Sequence, residues 1–249
     1  HMPAHRLRCQ LCLSLFQPLT ETVSMTDARA DSPSPLNAPA DMQGAGTQAP
    51  AVALQVSDLS MRFGGLLAVD GVSLSVHERQ IVSMIGPNGA GKTTVFNCLT
   101  GFYQPSGGKI MLRGQDITGL PGHQIARRGV VRTFQNVRLF RGMTAVENLL
   151  VAQHRHLKSN MLAGLFKTPG FRQSEKQALE FAAHWLERMN LLDVANRSAG
   201  TLAYGQQRRL EIARCMMTRP SLLMLDEPAA GLNPRETEEL KELIATLRD

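Results

Sequence analysis

The stretch QIVSMIGPNGAGKTTVFNCLTG, residues 80–101, constrains the fold more than any other part of the chain. Ile81 to Ile85 form a short apolar run that stops at a glycine, the pattern of a strand buried in a mainly parallel sheet. Residues 86–93 then fit G-x-x-x-x-G-K-[ST] at every fixed position, and a helical pattern follows. Glycines let the backbone approach an anion and turn N–H groups inward, and the start of a helix adds partial positive charge. The predicted unit is strand, phosphate-binding loop, helix. Lys92 reaches the β- and γ-phosphates of a nucleotide, and the Thr93 hydroxyl faces Mg²⁺.

A second apolar run, SLLMLDEP at 221–228, ends in Asp226 and Glu227. Alone, these are a surface acidic pair at a strand end. In a chain that carries a phosphate loop, Asp226 is placed to hold Mg²⁺ and Glu227 to polarise an attacking water. A third stretch, LAYGQQRRLEIAR at 202–214, opens a helix with a glycine, a glutamine and a basic face suited to an anion. It lies more than a hundred residues beyond the phosphate loop, so the chain carries two anion-binding helix starts.

The remaining segments supply a scaffold. VALQVSDLSMRF and LAVDGVSLSV alternate as half-buried strands, and KIMLRGQDI reads as another. Thr144 and Glu147 form a capping box ahead of a helix. Phe181, Trp185 and Met189 stand four apart in a helical pattern and read as core. Asn233, Pro234 and Glu236 start a last helix. Residues 1–50 are rich in Ala, Pro, Ser, Gly and Asp over most of their length and read as disordered. The leading His-Met pair reads as a cloning scar, and Met25 is a candidate natural start.

Composition sets outer limits. The chain of 249 residues has a net charge of +6, which suits an ordinary basic protein, a nucleotide pocket or a membrane-apposed surface. Aromatics are 5%, few for a base-stacking surface, so no nucleic-acid partner is expected. No apolar run reaches the roughly 18 residues of a spanning helix. Cys9 and Cys12 form a lone CxxC, short of the ligands zinc requires, and Cys98 and Cys215 read as core thiols of a reducing compartment.

GPNGAGKTT, RTFQN, LAYGQQRRLEIAR and LLMLDEPAAGLNP, in this order and spacing, resemble the ATP-binding-cassette ATPases over residues 51–249. MRFGGLLAVDGVSL, VFNCLTGFY, VVRTFQNVRLF, ENLLVAQH and EPAAGLNP are similar to the LivG-type branch of branched-chain amino acid importers. The resemblance implies an α/β fold with a RecA-like core, an antiparallel β subdomain at its N-terminal side and a helical subdomain at about 140–218. It implies ATP and Mg²⁺ as cofactors. Phe63 corresponds to the aromatic that stacks on adenine. Gly86, Pro87, Asn88, Gly89, Ala90, Gly91, Lys92, Thr93 and Thr94 correspond to the phosphate loop. Gln135 corresponds to the glutamine that contacts Mg²⁺ and senses the γ-phosphate. Asp226 corresponds to the metal-binding carboxylate, Glu227 to the catalytic base, and Ala230 to Asn233 to an inter-subunit loop. Leu202, Ala203, Tyr204, Gly205 and Gln206 correspond to the signature, which completes the ATP site of the other subunit. The two helix starts thus belong to two halves of two sites in a head-to-tail pair.

The resemblance also implies partners: a second cassette, identical or different, two permease subunits docked near Leu139, Phe140 and Met143, and through them a substrate-binding protein. For any single one of these three residues, ordinary packing is an equal reading. The location implied is cytoplasmic, on the inner face of the membrane. The alternatives are a soluble or other-substrate cassette ATPase, or nucleotide binding without efficient turnover. Two departures bear on activity. Ala203 replaces the usual signature serine, at an expected cost of about 1 kcal/mol in closure. The strand that carries the family's switch histidine follows the helix that begins at Pro234 and lies beyond residue 249; His154, His156 and His184 do not replace it. The last strands of the sheet are expected to be missing, leaving a bare sheet edge.

Overall fold

A computed structural model of the chain describes residues 11–13, 22–24, 51–135, 137–153 and 169–248. Asn136, His154 and His156, Cys9 and most of residues 1–50 lie outside them.

β3 (Val52–Phe63) and β4 (Leu66–His77) form an antiparallel hairpin across Gly64 and Gly65. β6 (Gly107–Leu112) and β7 (Gln115–Asp116) extend it to a four-stranded sheet in the order β4-β3-β6-β7. The stretch KIMLRGQDI is therefore two short strands around a turn at Arg113 and Gly114 rather than one strand. Alternation places Leu54, Val56 and Ile110 in the core, as period-2 patterning requires.

A second sheet joins β1 (Leu11–Leu13), β2 (Thr22–Ser24), β5 (Ile81–Ile85), β8 (Val130–Arg132) and β9 (Leu222–Leu225) in the order β2-β5-β1-β9-β8, and all its pairings are parallel. β5 leads into the phosphate loop and β9 ends at Asp226. β8, absent from the sequence reading, pairs with β9 and leads into the segment that carries Gln135. β1 and β2 come from the N-terminal segment. This corrects the expectation of disorder for these six residues. Leu11 to Leu13 fill the position between β5 and β9, where a strand flanked on both sides in a parallel sheet calls for an apolar run. Thr22 to Ser24 pair along the other side of β5, which leaves β2 and β8 as the outer strands of this sheet among the described residues.

β9 shows how the layers close. Leu222 and Met224 pack with Val82, Met84, Phe96 and Leu99, while Leu223 and Leu225 pack with Leu210, Ile212 and Leu240. The parallel sheet is thus covered on both faces, by α1 (Lys92–Leu99) on one and by α5 (Tyr204–Met217) and α6 (Pro234–Arg248) on the other. Each large apolar side chain buried this way contributes about 1.5–3 kcal/mol. α2 (Gly122–Arg127) leads into β8 through Gly129.

α3 (Ala145–Gln153) and α4 (Pro169–Arg188) pack on α5. The capping box forms: Glu147 N–H donates to Thr144 Oγ1 at 3.3 Å, and Thr144 N–H donates to Glu147 Oε2 at 2.8 Å. Trp185 and Met189 are core residues and Phe181 packs beside them. Asn233 caps α6, receiving the Glu236 N–H at 2.9 Å. Cys98 and Cys215 are buried, and burial raises the Cys98 thiol above its ordinary value.

α5 also buries a charge. Burial pushes the Glu211 carboxyl above the ordinary carboxylate value, against the opposing pull of the Arg138 N–H and of Arg208. A carboxyl with a raised folded-state pKa holds its proton more tightly folded than unfolded. Its contribution to stability is therefore full below the unfolded value and declines as pH rises through the raised one. In urea unfolding, the stability of the parent relative to Glu211→Gln should fall as pH rises through this window. A pH-independent difference would contradict it.

Candidate functional site

The phosphate loop begins where β5 ends. Gly89 and Gly91 hold φ of 86° and 84°, which L side chains rarely adopt. At Gly91 a Cβ would also lie 2.6 Å from the Ala68 carbonyl oxygen, so glycine is required there by space as well as by backbone. The loop then enters α1 at Lys92, and the free N–H groups of that first turn sit beside the loop. Lys92 Nζ donates to the carbonyls of Gly86 at 2.6 Å and Pro87 at 2.8 Å. Its ammonium is thereby held inside the curve of the loop.

An open cleft extends from this loop. Asn88, Gly89, Gly91, Lys92, Thr93 and Thr94 form one side, Leu66, Leu67 and Ala68 of β4 another, and Gln135 and Glu227 the far wall. Pro87 and Ala90 complete the loop between the lining residues. Gln135 Nε2 donates to Glu227 Oε2 at 3.1 Å, so two residues 92 positions apart meet at the cleft. Glu227 holds φ of 45°, an unusual conformation for a carboxylate residue, at the turn that directs it away from the end of β9.

Asp226 lies behind this wall and is buried. Its Oδ2 accepts from Arg132 Nη2 at 2.6 Å, and its N–H donates to Thr133 Oγ1 at 3.3 Å. Arg132 also donates to Asn97 Oδ1 at 2.6 Å, and its guanidinium lies 5.3 and 5.5 Å from the ring centres of Phe96 and Phe134. It ties the phosphate-loop helix to the acidic strand. Sequence reasoning missed it, although it opens the quoted motif RTFQN. The hydroxyl of Thr93, the amide of Gln135 and the carboxylate of Asp226 are hard oxygen donors of the kind Mg²⁺ takes alongside phosphate and water oxygens. Among the described residues, no group of three or more His, Cys, Asp and Glu could hold a metal ion by itself.

Phe63 is 41% exposed and meets Tyr103 edge-on, with ring centres 5.2 Å apart. Nothing local in the sequence marks Tyr103 as the neighbour of Phe63. Neither ring lines the cleft; Leu66 and Leu67, across the hairpin turn from Phe63, do.

The signature residues lie elsewhere. Leu202 is buried, Ala203 precedes α5, and its N–H donates to Gln206 Oε1 at 3.2 Å. Tyr204 is exposed and its ring lies against Gly231. Gly205 is packed against Glu236, whose carboxylate would stand 2.6 Å from any Cβ there. None of these five residues lines the cleft. The basic face expected for this helix needs correcting at Arg208, whose side chain is 2% exposed and turned toward protein carbonyls rather than offered to an anion.

The family profile described as ABC transporter matches residues 69–230. The high-affinity branched-chain amino acid transport ATP-binding protein BraF of Pseudomonas aeruginosa is 79% identical over 195 residues, covering 78% of this chain and 76% of that protein. The corresponding protein LivG of Escherichia coli K12 is 68% identical over 196 residues, covering 79% of this chain and 77% of LivG. The crystal structure of the ADP conformation of MJ1267, an ATP-binding cassette of an ABC transporter, matches with a TM-score of 0.68 at 34% identity, over 79% of this chain and 77% of that one. The matched stretch contains the loop, the glutamine and the acidic strand that build the cleft, and the chain belongs to the ATP-binding-cassette family of ABC transporters.

Proposed function

We propose that this chain binds MgATP in the cleft beside Lys92 and hydrolyses it to energise import of branched-chain amino acids. The observation that supports the reading is the contact of Gln135 with Glu227 in the cleft that Lys92 also lines, which suits Glu227 to the role of base. Lys92 and the loop N–H groups bind the phosphates. Thr93, Gln135 and Asp226 would hold Mg²⁺, which supplies charge neutralisation on the phosphate oxygens when bound. Glu227 takes the proton of the attacking water. The substrate assignment rests on the identity to BraF and LivG.

In the same reading the signature, remote from the chain's own cleft, serves a second cassette, identical or different, in a head-to-tail pair. Among the described residues no helix is long and apolar enough to cross a membrane, so the reading assigns transport to two permease subunits and a substrate-binding protein. Phe140 and Met143, 49% and 38% exposed, offer an apolar docking surface for them, whereas Leu139 packs into the core around α5. Such an assembly sits on the inner face of the membrane. The deciding experiment reconstitutes the chain with its permeases in proteoliposomes and measures ATP turnover with leucine-loaded binding protein. Stimulation by leucine and not by an acidic amino acid supports the reading. The reverse pattern replaces the substrate, and no stimulation by any amino acid removes the transport role.

Phe63 is proposed as the adenine platform. Phe63→Ala should weaken ATP by about 1 kcal/mol, the worth of one aromatic contact, while inorganic triphosphate binds unchanged. Calorimetry with both ligands checks this; equal losses for both would assign Phe63 to the scaffold.

A further inference from the structure

The segment that carries Gln135 is held from beneath by one turn of α5. Arg208 Nη1 donates to the Phe134 carbonyl at 2.8 Å, and Nη2 donates to the Gln135 carbonyl. Glu211 accepts the Arg138 N–H through Oε1 at 3.3 Å and pairs with Arg208 Nη1 through Oε2 at 3.2 Å. Both side chains are 2% exposed. The Arg138 guanidinium closes the arrangement 4.0 Å above the Phe134 ring. A planar fork that spans two successive carbonyls fixes their orientation as well as their position, which an ammonium cannot do. Such buried, reciprocal bonding is costly to build and stiff once built.

We propose that Arg208 and Glu211 are positioning residues. They clamp the Gln135 segment to the helix that begins at the signature, so the register of Gln135 against Glu227 is set by α5. The proposal rests on the role given above to Gln135. It adds a physical link between the chain's own ATP cleft and the helix start assigned to the partner's site. Engagement of the signature then bears on Gln135 through a path only one helical turn long, from Tyr204 and Gly205 to Arg208.

The test is a double-mutant cycle on ATP turnover of the full chain, with ATP affinity measured alongside. Arg208→Met should lower kcat about tenfold or more while KM moves less than about threefold, because Lys92 and its loop are untouched; interacting sites lose additivity. In a Gln135→Ala background the same substitution should cost less than about twofold. Arg208→Lys should recover part of the loss, and it replaces Arg208→Met if that chain does not fold. A second readout needs no turnover: Glu211→Ala should speed amide exchange at Arg138 about tenfold, and Gln135→Ala should leave it unchanged. If Arg208→Met costs as much without Gln135 as with it, the clamp is overturned and Arg208 is scaffold. If Gln135→Ala is as active as the parent, the role of Gln135 itself fails and takes the proposal with it.

Discussion

Lys92→Ala should lower ATP affinity by about 10²–10⁴-fold, the loss of two charge-assisted contacts at roughly 1.5–3 kcal/mol each. The ammonium sits 2.6 and 2.8 Å from the Gly86 and Pro87 carbonyls, inside the curve where phosphate oxygens would lie. Among the described residues that line the cleft, Lys92 is the one that carries a positive charge. The change should leave the fold in place. Lys92 is the first residue of α1, and alanine is at least as good a helix former there. The loop glycines keep their conformation because their φ angles follow from Gly89 and Gly91 rather than from Lys92. Calorimetric titration with MgATP, paired with a thermal melt of the apo chain, separates the two effects. Affinity within threefold of the parent would remove the phosphate-binding assignment, whatever the melt shows.

The parts of the site that were legible in the sequence are those built from local chemistry. The phosphate loop needs glycines at fixed offsets and a helix after them, and both are written into a short consecutive stretch, Gly86 to Thr94. Asp226 and Glu227 are legible only because the same chain carries a phosphate loop; alone, two carboxylates at the end of an apolar strand are an ordinary surface pair. Arg132 and Arg208 were not legible in this way. Each is one basic residue in a basic chain, and its meaning lies in partners 35, 94 or about 74 positions away. Composition averaged over residues 1–50 is that of a disordered segment. That average hides LRCQLCLSLF, whose local apolar content is what a strand between β5 and β9 requires. Sheet order is a non-local property, and periodicity along the chain contains no information about which strand lies beside which.

Glu227→Gln separates binding from chemistry. Glutamine has the shape of glutamate, and its amide oxygen can still accept from Gln135 Nε2, so the contact at 3.1 Å has a replacement. The backbone strain at φ 45° is common to both residues and cancels. What is lost is the basic carboxylate. Turnover should fall by about 10²–10⁴-fold, the range for a general base. ATP affinity should hold or rise, because a negative charge facing the γ-phosphate has been removed. With hydrolysis blocked, ATP persists in the cleft and the signature of a second chain can remain engaged over it. The substituted chain should therefore elute as a dimer in MgATP and as a monomer in ADP. Each outcome tests a different part. Undiminished turnover would remove Glu227 as the base. Blocked turnover with only monomer present would retain the base and place the failure at the Ala203-containing signature, where a missing hydroxyl weakens the closure that the two helix starts are proposed to make.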